Sequence, residues 1–294
     1  MTIAIFGYVS RDIVSKQHLA ETTQKIGGKA YYSGVCLANL GEPTVAFVYT
    51  DTQSDDLLQQ MSTPNLKIFN FNSSKTPCYE NVFLDKSLNK RQFKTKLSSD
   101  FCWKESLLTP EMKILLADCS YIHLAPTGLA ELPPPFVSYL KQNFSARISA
   151  DLDFIVKQVD EEGKIKVEDF SLVAKILAHL DLVLISQEDI HLIPGESEQE
   201  SMYALAKMGP PEIVLTKGSS GAIIYSQAHQ QFYILPAVAP KQLVDATGAG
   251  DTYIAAYLAK RKNHSIEESG TFAATITSLK LAKTHAYGGQ HHQP

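Results

Sequence analysis

The stretch 244–259, VDATGAGDTYIAAYLA, strongly constrains what this chain can fold into and bind. Three small residues, Gly248, Ala249 and Gly250, separate an extended segment from Asp251, which opens a helix with apolar residues at helical spacing. The first backbone N–H groups of such a helix have no partners within it, and the positive end of the helix dipole lies beside them. Glycine lets a phosphate approach these groups closely. The stretch therefore predicts phosphate binding.

Asp251 stands where a carboxylate takes a proton from an alcohol while the N–H groups of 248–250 stabilise charge on the transferred group. This arrangement predicts phosphoryl transfer to a hydroxyl. A helix whose first aspartate only complements the dipole is the structural alternative. Two other glycine motifs fit less well, because no Lys-Ser/Thr pair follows the second glycine and Tyr253 occupies the third glycine position of a dinucleotide fingerprint.

The run DATGAGD, which ends at Asp251, resembles the C-terminal signature D-T-x-G-A-G-D of the PfkB family of carbohydrate kinases, whose fold is ribokinase-like. Ala246 departs from the signature, because the family usually has Thr there. The resemblance implies that Asp251 is the catalytic base and that the turn 248–250 is an anion hole. It further implies that Thr247, Gly248 and Gly250 contact ATP, that Mg²⁺ is a cofactor, and that a monovalent cation lies near the turn.

Composition agrees with a globular enzyme and excludes several other classes. At 294 residues the chain is long enough for one large α/β domain or two small ones. A net charge of -4 offers no electrostatic basis for binding nucleic acid or an anionic membrane. The four cysteines form no CxxC pair, so neither a zinc site nor a disulfide framework is predicted. With no signal peptide and no run of roughly 18 apolar residues, we expect a cytoplasmic protein.

Asp12 follows a short apolar run, 2–6, that predicts a first buried strand. Residues 8–12 lack the glycines of a dinucleotide site, which argues against a dehydrogenase. In open α/β sheets ligands bind at the carboxyl ends of the strands, and a carboxylate there accepts bonds from two vicinal hydroxyls. Asp12 also matches the substrate-hydroxyl aspartate of the PfkB family. A turn or salt-bridged aspartate is the alternative.

The pair Gly27-Gly28 precedes a helical pattern that closes at Gly41. It resembles the first signature of the family, G-G-x-x-x-N, in which the backbone and nearby side chains face the sugar. The resemblance assigns Gly27, Gly28, Lys29 and Tyr32 to substrate binding, although Tyr32 stands in the place of the Asn. Tyr32 either covers an apolar ring face of the substrate or packs in the core.

Two alternating runs, 79–84 and 91–97, flank the polar turn 85–90 and predict an inserted β-hairpin. In ribokinase-like proteins such a hairpin belongs to a small lid that covers the substrate and often forms a dimer contact. We assign the lid to about 12–24 and 76–98, with Glu80 and Asn81 toward the substrate and a homodimer through the lid. A solvated hairpin face is the alternative.

The remaining segments alternate between apolar runs and helical patterns, which predicts βα units and a mostly parallel sheet in a single domain, 1–294. Ser186-Gln187-Glu188-Asp189 stands where the family commonly has N-x-x-E. The resemblance assigns Ser186 to ATP and either Asp189 or Glu188 to magnesium through water. An acidic helix start is the structural alternative.

A Gly/Ser loop follows the strand predicted at 213–215. The spacing of Thr216, Gly218 and Gly221 resembles the nucleotide loop of the family and assigns these residues to ATP. A plain turn into a hairpin, 222–226 with 231–235, is the alternative. The last predicted helix, 271–283, is rich in small side chains that allow close packing beside the anion turn.

Taken in order, these motifs predict a ribokinase-like α/β three-layer sandwich with a mostly parallel central sheet and a small β lid. They predict an ATP-dependent kinase that transfers the γ-phosphate to a hydroxyl of a small sugar or polyol. The runs FGYVSRD and FAATITSLKL are similar to an inositol-kinase-like branch. A nucleoside kinase and an inactive nucleotide- or sugar-binding regulator stay open as alternatives.

Overall fold

The computed structural model describes residues 1–16, 20–84 and 91–289. Within these ranges the strands, in chain order, are β1 (Thr2–Gly7), β2 (Ser10–Lys16), β3 (Glu21–Gly27), β4 (Thr44–Thr50), β5 (Leu66–Asn72), β6 (Cys78–Phe83), β7 (Arg91–Leu97), β8 (Cys119–Ala125), β9 (Arg147–Asp151), β10 (Lys157–Val159), β11 (Ile165–Val167), β12 (Leu182–Ser186), β13 (Glu212–Thr216), β14 (Ala222–Ser226) and β15 (Gln231–Leu235). The α-helices are α1 (Lys29–Asn39), α2 (Asp55–Met61), α3 (Pro110–Ala117), α4 (Pro134–Asn143), α5 (Asp153–Val156), α6 (Phe170–Leu177), α7 (Glu198–Met208), α8 (Ala249–Arg261) and α9 (Ile266–Leu281).

In the described part of the chain, nine strands form one sheet in the order β15-β14-β13-β12-β9-β8-β1-β4-β5. Every neighbouring pair from β13 to β5 is parallel, whereas β14 and β15 add an antiparallel edge. The prediction of a mostly parallel sheet is therefore confirmed. Parallel strands place their carboxyl ends along one edge, which is where open α/β sheets bind ligands.

Helices cover both faces of this sheet and make three layers. Strand β1 shows why, because Ile3 and Ile5 pack on one face while Ala4 and Phe6 pack on the other. The face with Phe6 is covered by α3, α4, α6 and α7, and the opposite face by α1, α2, α8 and α9. A strand that is apolar on both sides must be buried on both sides, so the three-layer prediction is also confirmed.

A second, four-stranded sheet in the described residues has the order β3-β2-β6-β7, and we call it the small sheet. The predicted hairpin is its antiparallel pair β6–β7, while the turn 85–90 lies outside the described residues. Strand β2 pairs with β6 in parallel, from Arg11 with Cys78 to Lys16 with Phe83. Residues 10–27 thus contribute two strands, β2 and β3, to the small sheet, which includes the described part of the segment 12–24 assigned to the lid.

Helix α9 begins at Ile266, five residues before the predicted start at 271. Ser265 caps it, because its hydroxyl accepts a hydrogen bond from the Glu268 N–H at 3.2 Å and the Glu268 carboxylate accepts one from the Ser265 N–H at 3.0 Å. This is a capping box, which typically contributes about 1 kcal/mol. The Ser-x-x-Glu pattern is visible in the sequence and marks the true helix start.

None of the helices in the described residues combines the length and the apolar character needed to cross a membrane.

Candidate active site

A cleft of about 860 Å³ lies between the carboxyl ends of the central strands and the small sheet. Asp151, Ser186 and Thr216, the last residues of β9, β12 and β13, line it from the central sheet. Asn81 and Phe93 line it from the small sheet. The fold thus places the cleft where parallel α/β sheets usually bind ligands.

The anion turn, residues 245–251, closes one side of the cleft at the start of α8. Gly248 adopts the left-handed conformation with φ 75°, and the first helical hydrogen bond runs from the Thr252 N–H to the Gly248 carbonyl at 2.9 Å. The Ala249 N–H donates back to the Ala246 carbonyl at 3.2 Å, so it is used inside the turn. The N–H of Gly250 precedes the first helical bond and belongs to the group that a helix start offers to anions.

Gly248 cannot carry a side chain in this conformation. A Cβ atom there would lie 2.2 Å from the ring of Tyr32, whose aromatic face rests against the turn. A Cβ atom on Gly250 would meet only Leu184, at 3.9 Å, so Gly250 leaves space on the cleft side. The two glycines therefore differ in role: Gly248 shapes the turn, whereas Gly250 keeps it open.

Asp12 lies within β2 of the small sheet, with 4% of its surface exposed. The Ser10 hydroxyl donates to its Oδ1 at 2.7 Å. A Cβ atom on Gly27 would lie 2.1 Å from its Oδ2, so only glycine allows the backbone of β3 to pass the carboxylate. Gly27 is not among the residues that line the cleft, and its contact with Asp12 explains why a glycine stands there.

Asp12 and Asp251 act on the same part of the cleft. Burial raises the pKa of Tyr8 well above its ordinary value, and the charges of Tyr79, Asp251 and Asp12 raise it further. The pKa of Tyr32 is also raised, mainly by burial, with both carboxylates contributing. Both phenols are therefore neutral donors at physiological pH, and two acidic side chains lie near them, one from the small sheet and one from the start of α8.

Lys29, at the start of α1, lines the cleft beside these groups. Its Nζ lies 2.7 Å from the Asp151 carboxylate and 3.8 Å from that of Asp153. Burial lowers the pKa of Lys29, but Asp151, Asp153 and Asp251 outweigh burial and raise the pKa above its ordinary value. The ammonium group is therefore charged and held in place. Asp151 and Asp153 carried no functional signal in the sequence.

Four aromatic residues, Tyr8, Tyr79, Phe93 and Phe154, form what we call the aromatic wall of the cleft. Ring centroids are 5.6 Å apart for Tyr8 and Tyr79, 5.0 Å for Tyr79 and Phe93, and 5.3 Å for Phe93 and Phe154. These rings come from four separate segments, so no local pattern could reveal them. They give this end of the cleft an apolar surface beside its charged groups.

The opposite end of the cleft is formed by the loop after β13. Thr216, Gly218 and Gly221 all line it. Gly221 has φ 92°, and a Cβ atom there would lie 2.1 Å from the Leu235 carbonyl oxygen, so glycine is required. The other residues that line this end are mostly small or apolar: Ala237, Val238, Ala239, Pro240, Leu243, Ala274 and Leu281. Such a wall fits a flat apolar ring such as a nucleobase.

Ser186 and Glu188 line the cleft, whereas Asp189 does not. Asp189 is only 2% exposed, forms an ion pair with Lys157, and accepts a hydrogen bond from the Ser186 hydroxyl at 3.1 Å. Burial raises the pKa of Asp189 to about 7, with Asp153 adding and Lys157 opposing. Of the two acids predicted for magnesium, Glu188 is thus the one that faces the cleft.

The described residues hold no group of three or more His, Cys, Asp or Glu side chains arranged for a metal ion. Mg²⁺ is commonly held by one or two carboxylates together with substrate phosphates and water. Glu188, which lines the same cleft as the anion turn, fits that mode, in which the phosphate donor carries the ion. Magnesium stays a prediction for this cleft.

Glu80 lies outside the cleft lining. Side chains alternate along β6, so Glu80 faces away from the side that holds Tyr79 and Asn81. Its carboxylate lies 3.0 Å from the Lys96 Nζ on the neighbouring strand. The predicted site residues that do line the cleft are Asp12, Gly28, Lys29, Tyr32, Asn81, Ser186, Glu188, Thr216, Gly218, Gly221, Thr247, Gly248, Ala249, Gly250 and Asp251.

The chain is similar in sequence to known kinases. The sequence profile of the pfkB family carbohydrate kinase matches residues 1–292. A fructokinase from Rhizobium leguminosarum bv. trifolii is 25% identical over 247 residues, which cover 80% of this chain and 71% of that protein. A cytidine kinase from Thermococcus kodakarensis is 26% identical over 143 residues, so the match spans about half, 48%, of each chain.

Solved structures share the fold over nearly the whole chain. A pyrophosphate-dependent kinase in the ribokinase family, complexed with a pyrophosphate analog and myo-inositol, superposes with a TM-score of 0.82 at 22% identity, covering 98% of this chain and 97% of that chain. Arabidopsis thaliana ribokinase, complexed with ribose and ATP, gives a TM-score of 0.73 at 15% identity, covering 97% and 94%. The predicted ribokinase-like fold is confirmed.

Proposed function

Because the chain belongs to the pfkB family of carbohydrate kinases, we propose that it transfers the γ-phosphate of ATP to a hydroxyl of a small polyhydroxylated substrate. The observation that supports this most is that Asp12 and Asp251 line one cleft and that the charges of both raise the pKa of Tyr8 and of Tyr32. One carboxylate can hold the acceptor while the other takes its proton.

In the proposed reaction, the Asp12 carboxylate accepts hydrogen bonds from hydroxyls of the acceptor, and the Asn81 amide donates to them or accepts from them. Together the two side chains orient the reactive hydroxyl. Asp251 takes the proton of that hydroxyl as its oxygen forms a bond to the γ-phosphorus, and the bond from the γ-phosphorus to the bridging oxygen breaks to release ADP. The N–H group of Gly250 and the start of α8 stabilise the charge on the phosphoryl group. When bound with the donor near Glu188, Mg²⁺ neutralises phosphate charge.

The small sheet carries Asp12 and part of the aromatic wall, so we propose that it is the lid over the acceptor. Water that reached the phosphoryl group would compete with the acceptor hydroxyl as nucleophile. A lid made of strands that bear acceptor contacts closes only when the acceptor is present. A homodimer formed through this sheet remains part of the proposal.

The aromatic wall bears on the identity of the acceptor. Tyr79, Phe93 and Phe154 offer ring faces against which one apolar face of a cyclic sugar or polyol packs. The same faces favour a nucleoside, whose base stacks on aromatic side chains, and a nucleoside kinase is therefore the second candidate. The solved relative with myo-inositol and the curated cytidine kinase fall in these two acceptor classes.

The test uses a panel of sugars, polyols, cyclitols and nucleosides, and measures ADP release with ATP as donor and orthophosphate release with pyrophosphate as donor. Pyrophosphate is included because a solved relative is pyrophosphate-dependent. We expect one acceptor class to give turnover that depends on Asp251 and needs Mg²⁺. Binding of donor and acceptor without turnover under any condition would contradict the kinase proposal and favour a binding regulator.

A further inference from the structure

Lys280 is a fully buried lysine in the last turn of α9, with 0% of its surface exposed. Its Nζ donates a hydrogen bond to the Asp245 backbone carbonyl at 2.9 Å. It also lies 5.3 Å from the centroid of the Tyr32 ring. Lysines are almost never fully buried unless they are paired, because removing an ammonium group from water is costly. The proposed reaction gives this charge no role.

The residues that Lys280 contacts hold two parts of the anion turn, its first residue and its centre at Gly248. Asp245 begins the turn, and its carboxylate accepts a hydrogen bond from the Thr247 N–H at 2.9 Å. Tyr32 rests on Gly248, where the chain is left-handed. Lys280 is not among the residues that line the cleft, so its ammonium group lies behind the turn as seen from the cleft, and it contacts residues that hold the shape of the turn.

Charged groups face Lys280 from three other elements. Asp245 lies in the segment before α8, Asp251 in α8, and Lys25 in β3, where it forms an ion pair with the Asp245 carboxylate. Burial lowers the pKa of Lys280, Asp245 and Asp251 oppose this and Lys25 adds to it, and the pKa that results is about 7. An anion at the turn adds negative charge nearby and raises the pKa again.

The backbone oxygens around this ammonium already have donors. The Leu281 carbonyl accepts from the N–H groups of Val244 and Asp245, at 2.8 and 3.2 Å, and the Asp245 carbonyl accepts from Lys280. A monovalent cation needs oxygen ligands of this kind. Lys280 thus occupies the Asp245 carbonyl oxygen, which a monovalent cation at this position would need as a ligand.

We infer that Lys280 is a positioning residue that supplies a positive charge behind the anion turn when a phosphate is bound there, in place of a bound monovalent cation. This inference rests on one part of the proposed function, namely that the anion turn binds a phosphate group. The ammonium keeps Asp245 and Tyr32 in place, and its field favours a phosphate at the start of α8.

The first experiment uses the unmodified protein and compares potassium chloride with tetramethylammonium chloride at equal ionic strength. We expect ADP affinity, measured by calorimetry, to differ by less than about twofold, because equal screening leaves a built-in charge unchanged. An increase in affinity of about tenfold or more in potassium would overturn the inference, since it would reveal a separate cation site.

The second experiment removes the charge with Lys280→Met. ADP affinity should fall by roughly 10- to 100-fold, the size expected for one charge acting at several ångströms through an effective dielectric constant of about 20. Lys262→Met is the matched control, because Lys262 follows α8, pairs with Glu42 and lies outside the cleft lining. Equal ADP affinity in the wild type and Lys280→Met would contradict the inference.

Proton uptake distinguishes a charge effect from a packing effect. At pH 8 the wild type should take up a fraction of a proton when ADP binds, because an anion raises the pKa of Lys280 from about 7. Calorimetry in two buffers of different ionisation enthalpy measures this uptake, and the Lys262→Met control should retain it. Lys280→Met should lose this proton uptake. In a separate variant, Lys280→Ala, added ammonium or methylammonium ions should partly restore ADP affinity.

Wild-type proton uptake that persists in Lys280→Met would overturn the inference. If Lys280→Met and Lys280→Ala did not fold, the inference would be tested by the potassium comparison and by the proton uptake of the wild type. These readouts need no turnover. If no acceptor were phosphorylated, the kinase proposal would fail while ADP binding still tested Lys280.

Discussion

Replacement of Asp251 by asparagine removes proton acceptance while it keeps the size and shape of the side chain. A positioned general base contributes about 10²- to 10⁴-fold in rate, which corresponds to roughly 2.7 to 5.5 kcal/mol of activation free energy. We therefore expect kcat for Asp251→Asn to fall by about that factor. Lys29 stays charged in the variant, because Asp151 still lies 2.7 Å from its Nζ.

The same substitution should change stability little. Asp251 lies in the first turn of α8, where loss of its charge costs about 0.3 to 1 kcal/mol of interaction with the helix dipole. For a chain of this size that amounts to a decrease in Tm of at most about 4 °C. ADP affinity should stay within a few-fold of the wild type, since backbone groups and the metal hold most of the phosphate charge.

The assay is coupled ADP release with the best acceptor, together with ADP titration and thermal unfolding. Asp55→Asn is the matched control, because Asp55 is an exposed acid in the first turn of α2 and lies outside the cleft lining. Retention of more than about a tenth of wild-type kcat by Asp251→Asn would refute the base assignment. Loss of ADP affinity in parallel with kcat would instead indicate a distorted anion turn.

Three further predictions concern acceptor binding, the anion turn and pH, and a fourth concerns the lid. Asp12→Ala should weaken acceptor binding by about 1.5 to 3 kcal/mol with ADP affinity nearly unchanged, which calorimetric titration of both ligands checks; equal losses would point to misfolding. Gly250→Val should impair ADP binding and turnover together while circular dichroism shows an intact fold, and wild-type turnover in that variant would contradict phosphate binding at the turn. Burial lowers the pKa of His123 to about 3, so below about pH 6.5 the unfolded chain binds a proton that the folded chain does not, and stability should fall by up to about 1.4 kcal/mol per pH unit as the pH decreases toward 3. His123→Leu should reduce that slope in urea unfolding at pH 7 and 4.5, and an equal slope in both proteins would exclude His123 as its source. Replacement of the hairpin 79–97 by a short Gly/Ser turn should raise the acceptor KM and the ratio of ATP hydrolysis to transfer, and unchanged values for both would show that the small sheet is not a lid.

Local patterns in the sequence were sufficient wherever a short segment carries the whole signal. The anion turn needs small residues followed by a helix, so DATGAGD predicted both the turn and the position of Asp251. The antiparallel pair β14–β15 lies where alternation predicted it, from Ala222–Ser226 and Gln231–Leu235. The start of α9 was predicted five residues too late, because the capping box of Ser265 and Glu268, which depends on neighbours in sequence alone, was overlooked.

Contacts between distant segments were decided only by the tertiary structure. Lys29 forms an ion pair with Asp151, and Lys280 donates a hydrogen bond to the Asp245 carbonyl. The partners in each pair are too far apart in sequence for any local periodicity to predict the contact. Asp189 has the residue type of a metal ligand, but its ion pair with Lys157 turns it away from the cleft.

The physical reason is that charge and burial depend on which elements pack together. The sequence gives the type of a charged residue, but it does not show whether water or another charged group surrounds that residue in the fold. Asp12 illustrates this, because the sequence supplied only its residue type. The pairing of β2 with β3 and β6 placed it against Gly27, in the same cleft as the start of α8. The sequence by itself therefore determined which chemical groups are present, and the packing of distant elements determined which of them line the cleft and how they are charged.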